Sequence, residues 1–195
     1  MSVLSIKIPA ISDSFYSPTD ARQVAGALDA INAKYGSFIN KASKLSNVPA
    51  DIITSFIFIE SGGKENAPTT GIEAATGLMQ VTPALAYDIY SIEKRNKRLT
   101  ADEQTAISKF VPLTTFTKPY ASVKATLSAA LKKPEFNIIM GTIALGYLID
   151  INKFNGKARL DKVVVQYNQG LYSKTTKTDS WKKDSIEVLF TKLNP

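Results

Sequence analysis

The chain has 195 residues, a formal net charge of +7 and ordinary hydrophobic content, enough for one domain with a sizeable core and a short extension. It contains no cysteine and no histidine. That excludes disulfides, thiolate and histidine-ligated metal sites, and Ser-His-Asp or Cys-His triads, so acid–base chemistry falls to Asp, Glu, Lys or Tyr.

Residues 1–19 are rich in Ser, Pro and β-branched residues and read as an irregular arm before a domain over 20–195. Thr19 or Asp20 can cap a helix over 20–35, where Val24, Ala27, Leu28 and Ile31 recur at helical spacing. Gly36 is expected to stop it, with a second short helix over 37–45. Pro49 suits the first turn of an apolar helix over 49–60. Residues 61–82, rich in Gly, Thr and Ala, read as loop. Pro83 opens a helix over 83–96 with Leu85, Ile89 and Ile92 on one face. Thr100-Ala101-Asp102-Glu103 has the form of a capping box and starts a helix over 101–110.

Residues 111–120, with two prolines, read as loop, and 121–132 as helix, ended by Pro134. The strongest helical pattern runs from Asn137 to Phe154; its nearly all-round apolarity predicts a buried central helix, ended by Asn155-Gly156. By composition, Asp161 to Tyr167 stays open between helix and strand, because Val163-Val164-Val165 favours strand. A closing helix is expected over 180–193. No apolar stretch reads as a bilayer span. Met1 to Ala10 has one lysine and an alternation broken by Pro9, which is not the pattern of a secretory signal peptide.

Charge is uneven: residues 1–90 carry a net −2 and residues 91–195 a net +9. A basic half suits a polyanionic partner such as nucleic acid, an anionic membrane or a cell wall with its peptide carboxylates, or serves solubility alone. The clusters at 94–98, 132–133 and 182–183 lack interleaved aromatics apart from Trp181, so they do not carry a nucleic-acid signature.

Glu60 is the residue that points most directly to chemistry. It closes the apolar run Ile52 to Ile59 and is followed at once by Ser61-Gly62-Gly63. An acid at a helix C-terminus opposes the helix dipole, so the position has no ordinary stabilising role for a carboxylate. Apolar surroundings would disfavour its charged form and let it hold a proton near neutral pH. Gly77-Leu78-Met79-Gln80-Val81-Thr82-Pro83 follows, and Gln166-Tyr167-Asn168-Gln169-Gly170 comes far downstream. Composition alone reads Ser61 as a helix terminator, Met79 as core, Gln80 as a surface amide and Tyr167 as a core tyrosine.

In this order and at these distances, IESGG, GLMQVTPA, the stretch from Asn137-Ile138 through Gly141 to Tyr147-Leu148, and YNQG resemble the lytic transglycosylase (SLT, goose-type lysozyme-like) family of peptidoglycan-cleaving enzymes, over roughly residues 35–172. The resemblance implies an all-α, lysozyme-like single domain, helical also over 161–167, with a substrate cleft between the end of the Glu60 helix and the 61–82 loop. Glu60 would be the single acid/base, cleaving the bond between N-acetylmuramic acid and N-acetylglucosamine and leaving a 1,6-anhydro ring. Ser61 would support the geometry, Met79 would meet a sugar face and Gln80 would bind sugar hydroxyls or an N-acetyl group. Tyr167, paired with Asn168, would orient Glu60, and Tyr147 would border the cleft. No cofactor and no metal are implied.

Three positions depart from the family pattern: Gln166 stands for a small alanine, Gly71 (after Thr69 and Thr70) for a serine, and Ala74 for a glycine. They bear on the N-acetyl contacts of that loop and leave the acid in place. The segment 91–135 is longer than the family minimum, and its Lys94, Arg95, Lys97 and Arg98 suggest a lid or wall-binding flap. Without a signal peptide, carriage in a phage particle is the expected route to the periplasm and cell wall, where other virion proteins join the glycan strands as partners. Three rivals stay open: a goose-type muramidase hydrolysing the same bond with Glu73 as base, a non-catalytic virion or wall-anchoring domain, and a basic helical nucleic-acid binder.

Overall fold

The structure, a computed structural model, describes residues 18–67, 71, 74–154, 157–158 and 160–169. These residues are all-α apart from one two-stranded ribbon and an isolated bridge. In chain order the elements are α1 (Pro18–Ser46), α2 (Ala50–Ser61), α3 (Pro83–Arg95), α4 (Ala101–Ser108), a 3-10 turn (Leu113–Thr117), α5 (Tyr120–Leu131), α6 (Pro134–Ile151), β1 (Lys153–Phe154), β2 (Lys157–Ala158) and α7 (Leu160–Gln169). The irregular arm and the closing helix expected at 180–193 lie outside the described residues.

The first correction concerns α1. It is a single helix through Gly36, and it starts at Pro18, ahead of the expected caps at Thr19 and Asp20. Leu28, Ile31, Tyr35, Ile39 and Ala42 form one continuous buried stripe across the glycine. A glycine inside a helix costs about 1 kcal/mol relative to alanine, whereas burying each large apolar side chain contributes about 1.5–3 kcal/mol. Packing wins, and the helix continues.

The core is built around α6, where Phe136 through Leu145 and Leu148 are buried. This helix starts at Pro134, which occupies its first turn rather than only ending the segment before it. It stops at Ile151, and Phe154 belongs instead to β1, paired antiparallel with β2. α6 is long and apolar enough to cross a membrane by length and composition, contrary to the expectation that no stretch qualifies; in this fold most of it is covered by other helices. α1, α3, α5 and α7 pack around it. Gly146 lets the end of α1 approach closely, since a Cβ there would stand 3.4 Å from the Ser46 carbonyl and from Val48.

Polar links fix the helices to one another. Thr54 of α2 donates to Asn32 of α1 at 2.8 Å, Ser46 of α1 donates to Glu103 of α4 at 2.8 Å, and Lys41 of α1 pairs with Glu135 of α6. The expected capping box is present: the Thr100 hydroxyl accepts from the Glu103 N–H at 3.1 Å while the Glu103 carboxylate accepts from the Thr100 N–H at 2.9 Å.

The segment 91–135 is not a flap. Leu99, Ile107, Val111, Phe116, Val123 and Leu127 are all buried in the shared core, while its Lys94, Arg95, Lys97, Lys132 and Lys133 are exposed. Arg98 is the clasp of this region. Its guanidinium lies 3.3 Å from Glu93 of α3 and 3.9 Å from Asp150 of α6, and 5.2 Å from the Tyr147 ring. Burial pushes the Glu93 carboxyl above its ordinary value, opposed by Arg98 and reinforced by the nearby charges of Glu103 and Asp150.

Candidate active site

α2 carries Glu60 at its penultimate position, one turn after Phe56 on the same face. The helix ends because Gly62 adopts a left-handed conformation (φ 61°, ψ 23°), its N–H bonding back to the Phe58 carbonyl at 2.8 Å. No basic residue occupies the last turn to complement the helix dipole. Glu60 is half-buried at the edge of an apolar face whose Ile53, Phe56, Ile57 and Ile59 are all buried. Ser61 does the work of a helix terminator: its hydroxyl donates to the Ile57 carbonyl at 3.0 Å and accepts from the Gly63 N–H at 3.2 Å. Beyond it, Glu65 accepts from the Tyr35 hydroxyl at 2.7 Å and pairs with Lys34 at 3.0 Å, which holds its carboxyl below the ordinary range.

Tyr167 reaches this helix from α7. Its ring meets Phe56 edge-on, with centroids 5.1 Å apart and planes at 68°. Phe56 sits one turn below Glu60 on α2. The ionisation of Tyr167 is pushed well above the ordinary phenol value, first by burial and then by the negative charge of Glu60. Tyr167 is therefore a neutral hydroxyl, packed on the residue one turn below the candidate acid.

The third component is the turn 76–81. Thr76 and Val81 close it as an antiparallel bridge, with backbone bonds of 3.1 Å in both directions. Gly77 takes a φ of 74°, and a Cβ there would come within 2.6 Å of the Asn137 amide. Asn137, fully buried near the start of α6, accepts from the Met79 N–H at 2.7 Å and donates to the Thr76 carbonyl at 2.7 Å and the Leu131 carbonyl at 3.0 Å. The Tyr167 hydroxyl donates to the Met79 carbonyl at 2.9 Å. The turn is thus held to α6 through one peptide group and to α7 through the next.

Several expectations need correcting here. The Met79 side chain offers no apolar contact to a ligand: it is fully buried, and the missing Cβ of Gly141 makes room for its sulfur and methyl group. The backbone of Met79, not its side chain, serves the site. Tyr167 does not direct its proton at Glu60, because a phenol has one proton and the Met79 carbonyl takes it. Tyr147 stands with Arg98, in the clasp between α3 and α6. Gln80 is half-buried in a left-handed conformation (φ 47°), its amide turned back to donate to the Gly77 carbonyl at 2.8 Å. Asn168 lies in α7, beside Tyr167 in sequence. Glu73 lies outside the described residues.

Asn137 is the residue whose role the sequence did not reveal, although its position in the apolar pattern was plain. The available signal was a lone amide, with no hydrophobic reason to be there, three residues after the proline that starts a buried helix. Among the described residues, no group of three or more acidic side chains is arranged to hold a metal ion. No family model, no curated protein and no solved structure matches the chain.

Proposed function

We propose that this protein is a peptidoglycan lytic transglycosylase with a lysozyme-like fold, and that Glu60 is its single acid/base. The observation that carries the reading is the meeting of α7 and the turn 76–81 with α2, the helix that carries Glu60. A glutamate ends an apolar helix where the dipole gives it no stabilising role. A buried neutral tyrosine packs on Phe56 of the same helix, and a turn whose geometry is fixed from two helices accepts its proton. Such rigid support of one otherwise unfavourable acid is typical of a site held for chemistry.

In the proposed reaction, Glu60 first gives its proton to the oxygen bridging N-acetylmuramic acid and N-acetylglucosamine, and the C1–O bond breaks. The cationic C1 is stabilised by the sugar's own N-acetyl group, the substrate-assisted route that needs no second carboxylate. Glu60, now charged, takes the proton from the C6 hydroxyl as that oxygen attacks C1. A 1,6-anhydro ring forms, water is not consumed, and the carboxyl regains its proton. The exposed Lys94, Arg95, Lys97, Lys132 and Lys133 suit a strand bearing peptide carboxylates.

The test is digestion of purified peptidoglycan by wild type and Glu60→Gln, with products resolved by mass spectrometry. Anhydro-muramic ends from wild type only are expected. Reducing muramic ends would make the enzyme a hydrolase on the same acid, and no product from either protein would overturn the enzymatic reading.

A further inference from the structure

Glu60 lies between two holds that α1 keeps on α2 and on the chain leaving it. Six positions before it, Thr54 donates to Asn32 at 2.8 Å. Three positions after it, Gly63 lies so close to Ile31 that a Cβ there would stand 2.8 Å from the Ile31 Cγ1. Two positions further on, Glu65 accepts from the Tyr35 hydroxyl at 2.7 Å and pairs with Lys34 at 3.0 Å. Between the holds, the exit from the helix is tied to itself by local bonds. Ser61 bonds to Ile57 and Gly63, the Lys64 N–H to the Ser61 carbonyl at 3.1 Å, and the Ala67 N–H to the Lys64 carbonyl at 3.2 Å. Bonds this local do not by themselves stop a helix end from fraying. The two partners of Glu65 are also unequal. The Lys34 side chain is 64% exposed, so its ion pair is screened by solvent. Tyr35 is buried in the core, so its hydroxyl waits at a fixed point and makes a charge-assisted bond without first having to be ordered.

We propose that Tyr35 and Glu65 are positioning residues for Glu60: they latch the exit of α2 onto α1, and the latch is shut only while Glu65 is ionised. This rests on the reading of Glu60 as acid/base and adds what keeps the turn carrying it in place. Protonation takes away the attraction for Lys34 and weakens the bond from Tyr35, since a neutral acid accepts less strongly than a carboxylate. Tyr35 and Lys34 act on Glu65 from α1, while Glu60 and Lys64 precede it on its own segment. Tyr35 first and then Lys34 hold its carboxyl below the ordinary glutamate range. A depressed folded value means that the latch contributes in full above the unfolded value and lets go as pH falls through the folded one. Acid therefore acts twice on the site. It supplies Glu60 with the proton that the first step needs, and it frees the loop behind Glu60. The low-pH limb of activity then belongs to Glu65.

The test is amide hydrogen exchange on the full chain, read by NMR at Gly62, Gly63, Lys64 and Ala67 and corrected for the intrinsic effect of pH. Wild type, Tyr35→Phe and Glu65→Gln are compared. Both substitutions keep the shape of the side chain, and Glu65 stays in reach of water when the phenol is gone, so both variants are expected to fold and to melt close to wild type. At about pH 6 each should exchange these amides about fivefold or more faster than wild type, while Met140 and Ala144 in the core of α6 stay protected. Between about pH 6 and pH 3 wild type should lose the same protection, and Glu65→Gln should show no such step. Unchanged exchange in Tyr35→Phe, or an equal acid step in wild type and Glu65→Gln, would overturn the latch. On peptidoglycan, kcat of Tyr35→Phe is expected to fall about threefold or more with KM little changed. A kcat equal to wild type in a variant whose loop exchanges faster would overturn the positioning role. Wild type inactive on peptidoglycan would sink the functional reading, whereas the exchange result stands or falls independently of it.

Discussion

The Tyr167 hydroxyl and the Met79 carbonyl are 2.9 Å apart in space and 88 residues apart in sequence, and their hydrogen bond is buried. It joins the last described helix to the turn that follows the candidate acid's own helix. Removing it by Tyr167→Phe keeps the ring against Phe56 and leaves a buried carbonyl without its donor. The expected loss is about 1–3 kcal/mol, read as a lower urea midpoint with an unchanged slope.

Glu60→Gln is expected to behave in the opposite sense. The substitution removes a negative charge from the negative end of α2, whose last turn holds no basic residue. A gain of about 0.3–1 kcal/mol follows at low ionic strength. Differential scanning calorimetry should show the variant melting at or above wild type while its cleavage of peptidoglycan is lost. A variant both inactive and markedly destabilised would mean that Glu60 is a structural group.

The Arg98 clasp carries a pH signature. Burial raises the folded-state pKa of Glu93 above its unfolded value, so the folded chain holds that proton more tightly. Stability from this group is therefore greatest below the unfolded value and declines as pH rises through the folded one. Arg98 works against the rise. Arg98→Ala should therefore raise the Glu93 pKa further, and destabilise more at pH 7 than at pH 4. Urea midpoints of both proteins at the two pH values check it; an equal loss at both would show that Arg98 acts through packing on Tyr147.

Thr100→Ala removes the side chain that accepts from the Glu103 N–H at the start of α4. A loss of about 1 kcal/mol is expected, visible as a lower melting temperature. Glu103 keeps its bond from Ser46, so the fold should survive.

Gly36→Ala should stabilise. A Cβ at Gly36 meets nothing within 4 Å, and the residue lies inside a continuous helix. The gain is about 1 kcal/mol, measurable by urea denaturation.

Most helices were legible in the sequence because their signals are local. The Pro83 start, the Thr100 box and the apolar face of 50–61 each announce an element without reference to the rest of the chain. Gly36 misled because a glycine is a stop signal only when nothing beyond it needs burying, and Tyr35, Ile39 and Ala42 are all buried. At the site, Glu60 was legible as an apolar run ending in an acid and glycines. The direction of the Tyr167 proton was not, because it depends on which carbonyl a distant turn presents. Met79 illustrates the same limit: whether its side chain or its backbone faces Tyr167 is set by the absent Cβ of Gly141, across 62 positions of chain.

Those long separations govern when the site comes into being. Helices α1 to α6 hold most of their bonds within a few residues and can begin to form as the chain is made. The contacts that close the site join Met79 to Asn137 over 58 residues and to Tyr167 over 88. Such non-local contacts require the intervening chain to be ordered first, and they lie on the slow side of folding. A ribosome that has released everything up to α6 has delivered the acid and its helix, but not the hydroxyl that closes the site. The candidate site thus stays incomplete until α7 has been made, and its assembly reports the arrival of that helix.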